Sequence, residues 1–207
     1  MSLSFRPAQP GDADQAVPLI YSSGPAAFDY VFRHPRRGSA EDFLRSAFSS
    51  PQGEFSYRLH QLALLDGRVV ACGMARAGGS NLAHTLAALG QILRFYGPRH
   101  AAGVIRRGLQ VERTVQPPKA GVFYLGHLGV DPALRAQGLG QALILELLRQ
   151  GLHQGLPTAA LDVAASNPRA EALYTRLGFR TRAERPAAVA SITPHRYMER
   201  PLREGTP

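Results

Sequence analysis

The chain has 207 residues, 44% hydrophobic and 19% charged, which suits one large globular domain and excludes wholesale disorder. Lys and Arg total 24 against 15 Asp and Glu, a formal charge of +9 that admits an anionic partner: nucleic acid, a membrane surface or a phosphorylated cofactor. The lone Cys72 excludes an intrachain disulfide and a cysteine-based zinc site; seven scattered histidines lack helical metal spacing, no stretch has the roughly 18 apolar residues of a membrane span, and no signal-peptide core opens the chain.

A cytoplasmic protein without a metal is therefore expected. In chain order, residues 3–8 read as a short strand, and Gly11-Asp12 opens a helix with apolar positions at Ala13, Ala16, Val17 and Ile20. The basic loop Arg33-His34-Pro35-Arg36-Arg37 precedes a second helix over about 40–48. Alternation over 57–65, the turn Asp66-Gly67 and the Val- and Ala-rich stretch 68–76 predict a hairpin. From 82 to about 115 the pattern is helical, broken at Gly97-Pro98. A strand over 122–130 ends at Asp131-Pro132; a helix over 138–150, a strand over 159–165 and a helix over 167–177 follow. Closing strands are expected over 179–182 and 196–202. The fold class is α/β with one mixed sheet in a single domain over 1–207: an antiparallel hairpin first, then strand–helix alternation that suggests parallel pairing. Cys72 alternates with Val70 and Met74 on an apolar strand and reads as core.

The most informative segment runs from Val130 to Ile144. A strand ends, a loop carries Arg135, and Gly138 and Gly140 open an apolar helix. Glycines there let the backbone turn tightly and a ligand approach closely. The unsatisfied N–H groups of the first helical turn, with the positive end of the helix dipole behind them, suit a phosphate or pyrophosphate. No GxxxxGK[ST] occurs, and Leu143 stands where a dinucleotide-binding GxGxxG has its third glycine. Taken alone, a tight strand–helix turn explains the segment equally well. Further on, Asn167-Pro168 caps a helix whose Ala170, Leu173, Tyr174 and Leu177 share a face before Gly178 stops it.

Together these segments resemble the GCN5-related N-acetyltransferase (GNAT) superfamily. Arg135, Gly138 and Gly140 match its [R/Q]xxGx[G/A] acyl-CoA motif. Asn167, Ala170, Leu173, Tyr174, Gly178 and Phe179 match its N-x-x-A-x-x-L-Y-x-x-x-G-F helix. The likeness is specific over 122–182 and extends more loosely to 3–21 and 57–78. The resemblance implies an acetyl-CoA-dependent N-acetyltransferase in which an amine attacks the thioester directly. The strand over 122–130 would splay from the strand over 159–165 and take the pantetheine arm on main-chain groups of Leu128, Gly129 and Val130. The pyrophosphate would lie on Ala136, Gln137, Gly138, Leu139, Gly140 and Gln141, with Arg135 beside it. Asn167 would bind the pantetheine or stabilise the chain turn, Ala170 would border the cofactor, and the Tyr174 phenol would act as general acid toward the departing thiolate.

The resemblance is weakest at the general base. Relatives often carry Glu or His four or six residues before the Val130 position, where this chain has Gly126 and Tyr124. His127 has suitable chemistry, but regular alternation turns it away from Tyr124, Leu128 and Val130; a β-bulge near 128 would reverse that. An insert over about 79–121 precedes the strand at 122, and its stretch 94–119 carries a net charge of +5, as does the tail 176–203. An anionic acceptor, help with the CoA phosphates or a solvated helical face accounts for the insert. Neither aromatic interleaving nor a DNA-binding motif accompanies the charge, so nucleic acid is not an expected partner. The expected partners are acetyl-CoA and a small-molecule or peptide amine, with a homodimer possible. A CoA-binding module of the same fold without activity is the other reading.

Overall fold

The computed structural model describes residues 2–79 and 81–203. Two residues in left-handed conformation, Asp66 (φ 49°) and Gly67 (φ 84°), turn β2 (His60–Leu65) back into β3 (Arg68–Ala77), as their Asp-Gly chemistry predicts. β1 (Leu3–Pro7) lies antiparallel on β2, and β3 lies antiparallel on β4 (Val122–Val130). β5 (Thr158–Ala164), β6 (Arg180–Arg185) and β7 (His195–Pro201) complete a seven-stranded sheet of order β1-β2-β3-β4-β5-β7-β6. Parallel pairing is confined to β4 and β5; β7 enters between β5 and β6 and is antiparallel to both.

Helices cover both faces. On one lie α1 (Ala13–Ser22), α2 (Pro25–Phe32), α3 (Ala40–Phe48), α4 (Asn81–Tyr96) and α5 (Pro98–Val111), built around Ile20, Phe32, Phe43, Phe48 and Tyr96. On the other lie α6 (Leu139–His153) and α7 (Pro168–Arg176), whose Leu143, Ile144, Leu147 and Tyr174 meet Phe123, Leu125, Leu161 and Phe179. Local chemistry sets the helix starts. Ser39 accepts from the Asp42 N–H while the Asp42 carboxylate accepts from the Ser39 N–H, a reciprocal cap for α3. Gly-Pro pairs open α2 and α5. The first of these marks a helix absent from the sequence reading, and residues 57–59, expected as strand, form a 3₁₀ turn instead. Ser56 caps that turn by accepting from the Arg58 N–H.

Much of the arginine is spent on the fold itself. Arg6 grips Asp12 through two 2.7 Å hydrogen bonds, Arg196 bridges Glu171 and Glu184, and Arg182 meets Glu199. In the insert, Arg107 donates to the Val31 carbonyl, tying α5 to α2. Thr114, just beyond α5, donates to the Pro186 carbonyl and accepts from the Ala188 N–H, which fastens the insert to the connection before β7. Cys72 is fully buried, and that burial pushes its thiol pKa up, in keeping with a core role.

α1 crosses β4 at Gly129, where a Cβ would lie 2.1 Å from the Leu19 carbonyl oxygen and 3.0 Å from Ser22 Oγ. Main chain on main chain leaves no side chain free to yield. Gly129→Ala should therefore cost at least about 1–3 kcal/mol of stability, read as a lower urea midpoint at unchanged slope.

Candidate active site

The turn from β4 into α6 is shaped by two left-handed residues, Ala136 (φ 67°) and Gly138 (φ 82°). Gly138 is the N-cap of α6, and the first intrahelical bond runs from the Ala142 N–H to its carbonyl. The N–H groups of residues 139–141 thus precede the helix ladder and gather at its positive end. Arg135, Ala136, Gln137 and Gln141 are exposed around them. A Cβ on Gly140 would make only ordinary contacts, 3.5 Å to Val130 Cγ2 and 3.7 Å to Leu173 Cδ2, and one on Gly138 would meet nothing within 4 Å. Packing does not require glycine at 140. Its missing side chain leaves an open cradle beside the N–H groups that precede the helix ladder.

Next to the cradle the sheet opens. β4 and β5 pair only through Val122–Thr158, Phe123–Ala159 and Tyr124–Ala160, yet β4 continues to Val130 and β5 to Ala164. Beyond Tyr124 the edge of β4 that faces β5 has left the ladder, and an extended ligand can add there as a strand would. Asp162 holds the base of the opening. Its carboxylate, 3% exposed, accepts from the Tyr124 hydroxyl at 2.9 Å and from Arg185 at 2.9 Å. Burial raises its pKa, and the Arg185 charge works against that rise. Tyr174 comes up from α7, buried edge-on against Phe179, with no hydrogen-bond partner for its hydroxyl among the described residues. Burial pushes its phenol up to about 12.

The other face of β4 is decided by one extra residue. Cys72 and Met74 of β3 face Gly129 and Gly126 of β4, so β4 inserts one residue more than β3 across this stretch. His127 sits in it with φ 51°, a left-handed conformation rarely adopted outside glycine. Phe123, Leu125, Leu128 and Val130 therefore lie on the α6 side. His127 turns to the opposite side, packing on Phe28 of α2 and Phe55 at ring centroid distances of 6.0 and 5.0 Å. Regular alternation fails here: His127 shares the face of Tyr124, and Leu128 and Val130 do not. Its Nδ1 lies 3.2 Å from Nε2 of His60, whose Nδ1 lies 2.8 Å from the Ser56 carbonyl. Burial lowers the His127 pKa well below the ordinary histidine value, and the nearby His60 and Arg76 add to the effect. Burial likewise takes His60 down to about 4.

A family model described as "Acetyltransferase (GNAT) family" matches residues 26–179. The chain belongs to the GNAT acetyltransferase family. A mycothiol acetyltransferase of Streptomyces avermitilis is 52% identical over 54 residues, 26% of this chain and 18% of that protein. A [ribosomal protein bS18]-alanine N-acetyltransferase of Escherichia coli is 46% identical over 55 residues, 27% of this chain and 37% of that one. The chain thus spans well under half the length of the curated relatives it matches. Among solved structures, an N-acetyltransferase from Staphylococcus aureus Mu50 superposes with a TM-score of 0.69 at 15% identity, covering 95% of this chain and 100% of that one. At that identity the likeness concerns the GNAT fold.

Of the residues singled out in the sequence, Val130, Gly140 and Leu173 meet at the mouth of the opening, with Gly138 and Arg135 on the cradle beside it. Leu128 and Leu139 direct their side chains into the α6-side core and offer a ligand only main chain. Gly129 is accounted for by α1 packing. The Asn167 side chain caps α7 through the Ala170 N–H, so both residues already have a structural task. Tyr174 and His127 approach β4 from opposite faces. The sequence reading missed Phe28, Phe55, His60 and Asp162, the side chains that surround His127 and Tyr124. Gly24-Pro25 was the available signal for α2; nothing local pointed to the other three. Among the described residues no group of three or more His, Cys, Asp or Glu could hold a metal, and no helix is long and apolar enough to cross a membrane.

The two histidines make stability depend on pH. Both bind a proton in the unfolded chain near pH 6.5 and resist it when folded, so the unfolded state binds more protons below that value. Stability contributed by His60 is present above about pH 6.5 and falls away toward its folded value of about 4. Urea unfolding over that range should show the loss, with a shallower slope in His60→Phe.

Proposed function

We propose that the chain transfers the acetyl group of acetyl-CoA to an amine acceptor by direct attack. The observation that carries this reading is the opening between β4 and β5, with an anion cradle at its mouth and a buried phenol at its side. The first-turn N–H groups of residues 139–141, with the main chain of 136–138 leading into them and the Arg135 guanidinium beside them, suit the pyrophosphate. The unpaired β4 edge suits the amides of the pantetheine arm, which bind as an added strand would.

In the proposed reaction a C–N bond forms as the thioester C–S bond breaks. The attacking nitrogen gives up one proton, which His127 accepts; neutrality, enforced by burial, keeps its lone pair available. CoA departs as a thiolate. A thiol is a far stronger acid than a phenol held near 12, so Tyr174 keeps its proton and stabilises the sulfur by donating a hydrogen bond. That refines the general-acid role its position in the family motif implies. Relatives named as a mycothiol acetyltransferase and a ribosomal-protein alanine N-acetyltransferase put unacetylated mycothiol and an alanine-bearing peptide among the amines to try. The Phe28, Phe55 and Tyr124 wall is compatible with either.

An amine panel followed by CoA release tests the reading: an alanine-ended peptide, a lysine peptide, a polyamine, an aminoglycoside and unacetylated mycothiol. Acetyl-CoA binding without release in any arm would favour the inactive CoA-binding module. With an active amine, Tyr174→Phe should lower kcat roughly 100-fold and leave acetyl-CoA affinity unchanged. The acid limb of the kcat profile should fall below the ordinary histidine value near 6.5, because protonated His127 cannot accept, and it should vanish in His127→Ala. Gly140→Ala should fold normally and bind acetyl-CoA about tenfold or more weakly, a loss of about 1.4 kcal/mol, measured by titration calorimetry.

A further inference from the structure

The position of the protons on the His60–His127 pair follows from the carbonyl at its end. His60 begins β2 opposite Met74 and is 2% exposed. Its Nδ1 lies 2.8 Å from the Ser56 carbonyl oxygen, which can only accept, so Nδ1 carries the hydrogen. Ser56 is itself held in place: its hydroxyl donates to the Ser50 carbonyl at 2.7 Å, and its N–H to the Gly53 carbonyl. In the neutral ring Nε2 of His60 is then a bare acceptor. His127 Nδ1, 3.2 Å away, has to donate to it. The two rings are nearly coplanar, 11° apart with centroids 5.4 Å from each other, so they meet edge to edge and the hydrogen bond lies in both ring planes, where the lone pair is.

A positive charge on this pair is opposed by burial and by its neighbours. Arg76 of β3 acts on His127 as a positive neighbour. Phe28 of α2 and Phe55 offer only apolar rings, and Phe48 of α3 packs on His60 at 5.4 Å. Glu54, next to Phe55, is drawn to Arg76. Two neutral imidazoles with a fixed donor at one end leave a single arrangement of protons: Ser56 carbonyl, Nδ1–H of His60, Nε2 of His60, Nδ1–H of His127, and a bare Nε2 on His127.

The geometry points to His60 as a positioning residue that takes the Nδ1 hydrogen of His127 and thereby keeps Nε2 of His127 unprotonated for the acceptor. This rests on the reading of His127 as the base. The arrangement uses a second histidine and a backbone carbonyl where a carboxylate orients the ring in other acid–base sites. Unlike a carboxylate, it brings no negative charge that would raise the His127 pKa.

Two-bond proton–nitrogen spectra of the 15N-labelled full chain at neutral pH read the tautomer directly, without acceptor or acetyl-CoA. His127 should show protonated Nδ1 and unprotonated Nε2, and His60 the same pattern. In His60→Gln the amide oxygen can still accept, and the His127 pattern should persist. In His60→Phe a ring remains but the acceptor is lost, and His127 should shift from one dominant tautomer to a mixture with Nε2–H. A wild-type His127 protonated at Nε2, or a pattern unchanged in His60→Phe, would overturn the assignment. Should His60→Phe fail to fold, the wild-type and His60→Gln spectra decide it in the same terms. Unchanged turnover in His127→Ala would remove the base reading alone, since these spectra are recorded without turnover.

Discussion

One additional residue in β4 determines which side of the sheet each later side chain of that strand meets. Strand parity is strict, and a single insertion reverses it. Without the insertion, His127 would join Phe123 and Leu125 under α6, where a polar ring would be buried among leucines. With it, the ring reaches the Phe28–Phe55 wall, and Leu128 and Val130 fill the α6-side core. The insertion is held on both flanks. Gly126 sits against Met74, and Gly129 lets α1 press its backbone onto the strand. A left-handed histidine costs roughly 1–3 kcal/mol where it persists, and the packing on either side maintains it.

The charge that dominates the composition turns out to be divided. Arginines of the tail are engaged with Asp162, Glu171, Glu184, Glu199 and the Leu177 carbonyl, so the basic C-terminal stretch serves the β5–β7–β6 edge. Within the insert Arg107 is similarly engaged, while Arg94, Arg99, Arg106 and Arg113 remain exposed. Close to His127 and Tyr124 the ionisable groups are mixed in sign, Arg76 and Arg185 beside Glu54 and Asp162. An excess of positive charge along the chain does not carry through to the wall of the opening.

Features with local causes were legible in the sequence. The cap at Asn167, the Asp66-Gly67 turn, the Gly97-Pro98 break and the glycines that open α6 each act over a few residues, and each stands where its chemistry places it. The two family motifs fell on the turn and helix that flank the opening. Less legible were features set by distant partners. Nothing between 179 and 202 says that β7 enters the sheet between β5 and β6, because strand order is fixed by which edge remains unpaired. The insertion at His127 has no marker of its own; it emerges only when β3 and β4 are aligned. α2 is eight residues long and apolar on more than one side, so its periodicity is faint and only Gly24-Pro25 betrays it. His60 looks like an ordinary strand residue until the Ser56 carbonyl is placed beneath it.

The near-total use of arginine for positive charge has a chemical corollary for a chain read as handling an activated acetyl group. Guanidinium stays protonated at any physiological pH and has no lone pair to offer a thioester. Among its side chains only Lys119, exposed between α5 and β4, carries an amine that could be acylated. Its salt bridges and helix ties are therefore made from groups inert toward the reagent, and adventitious N-acylation of side chains is restricted to one position.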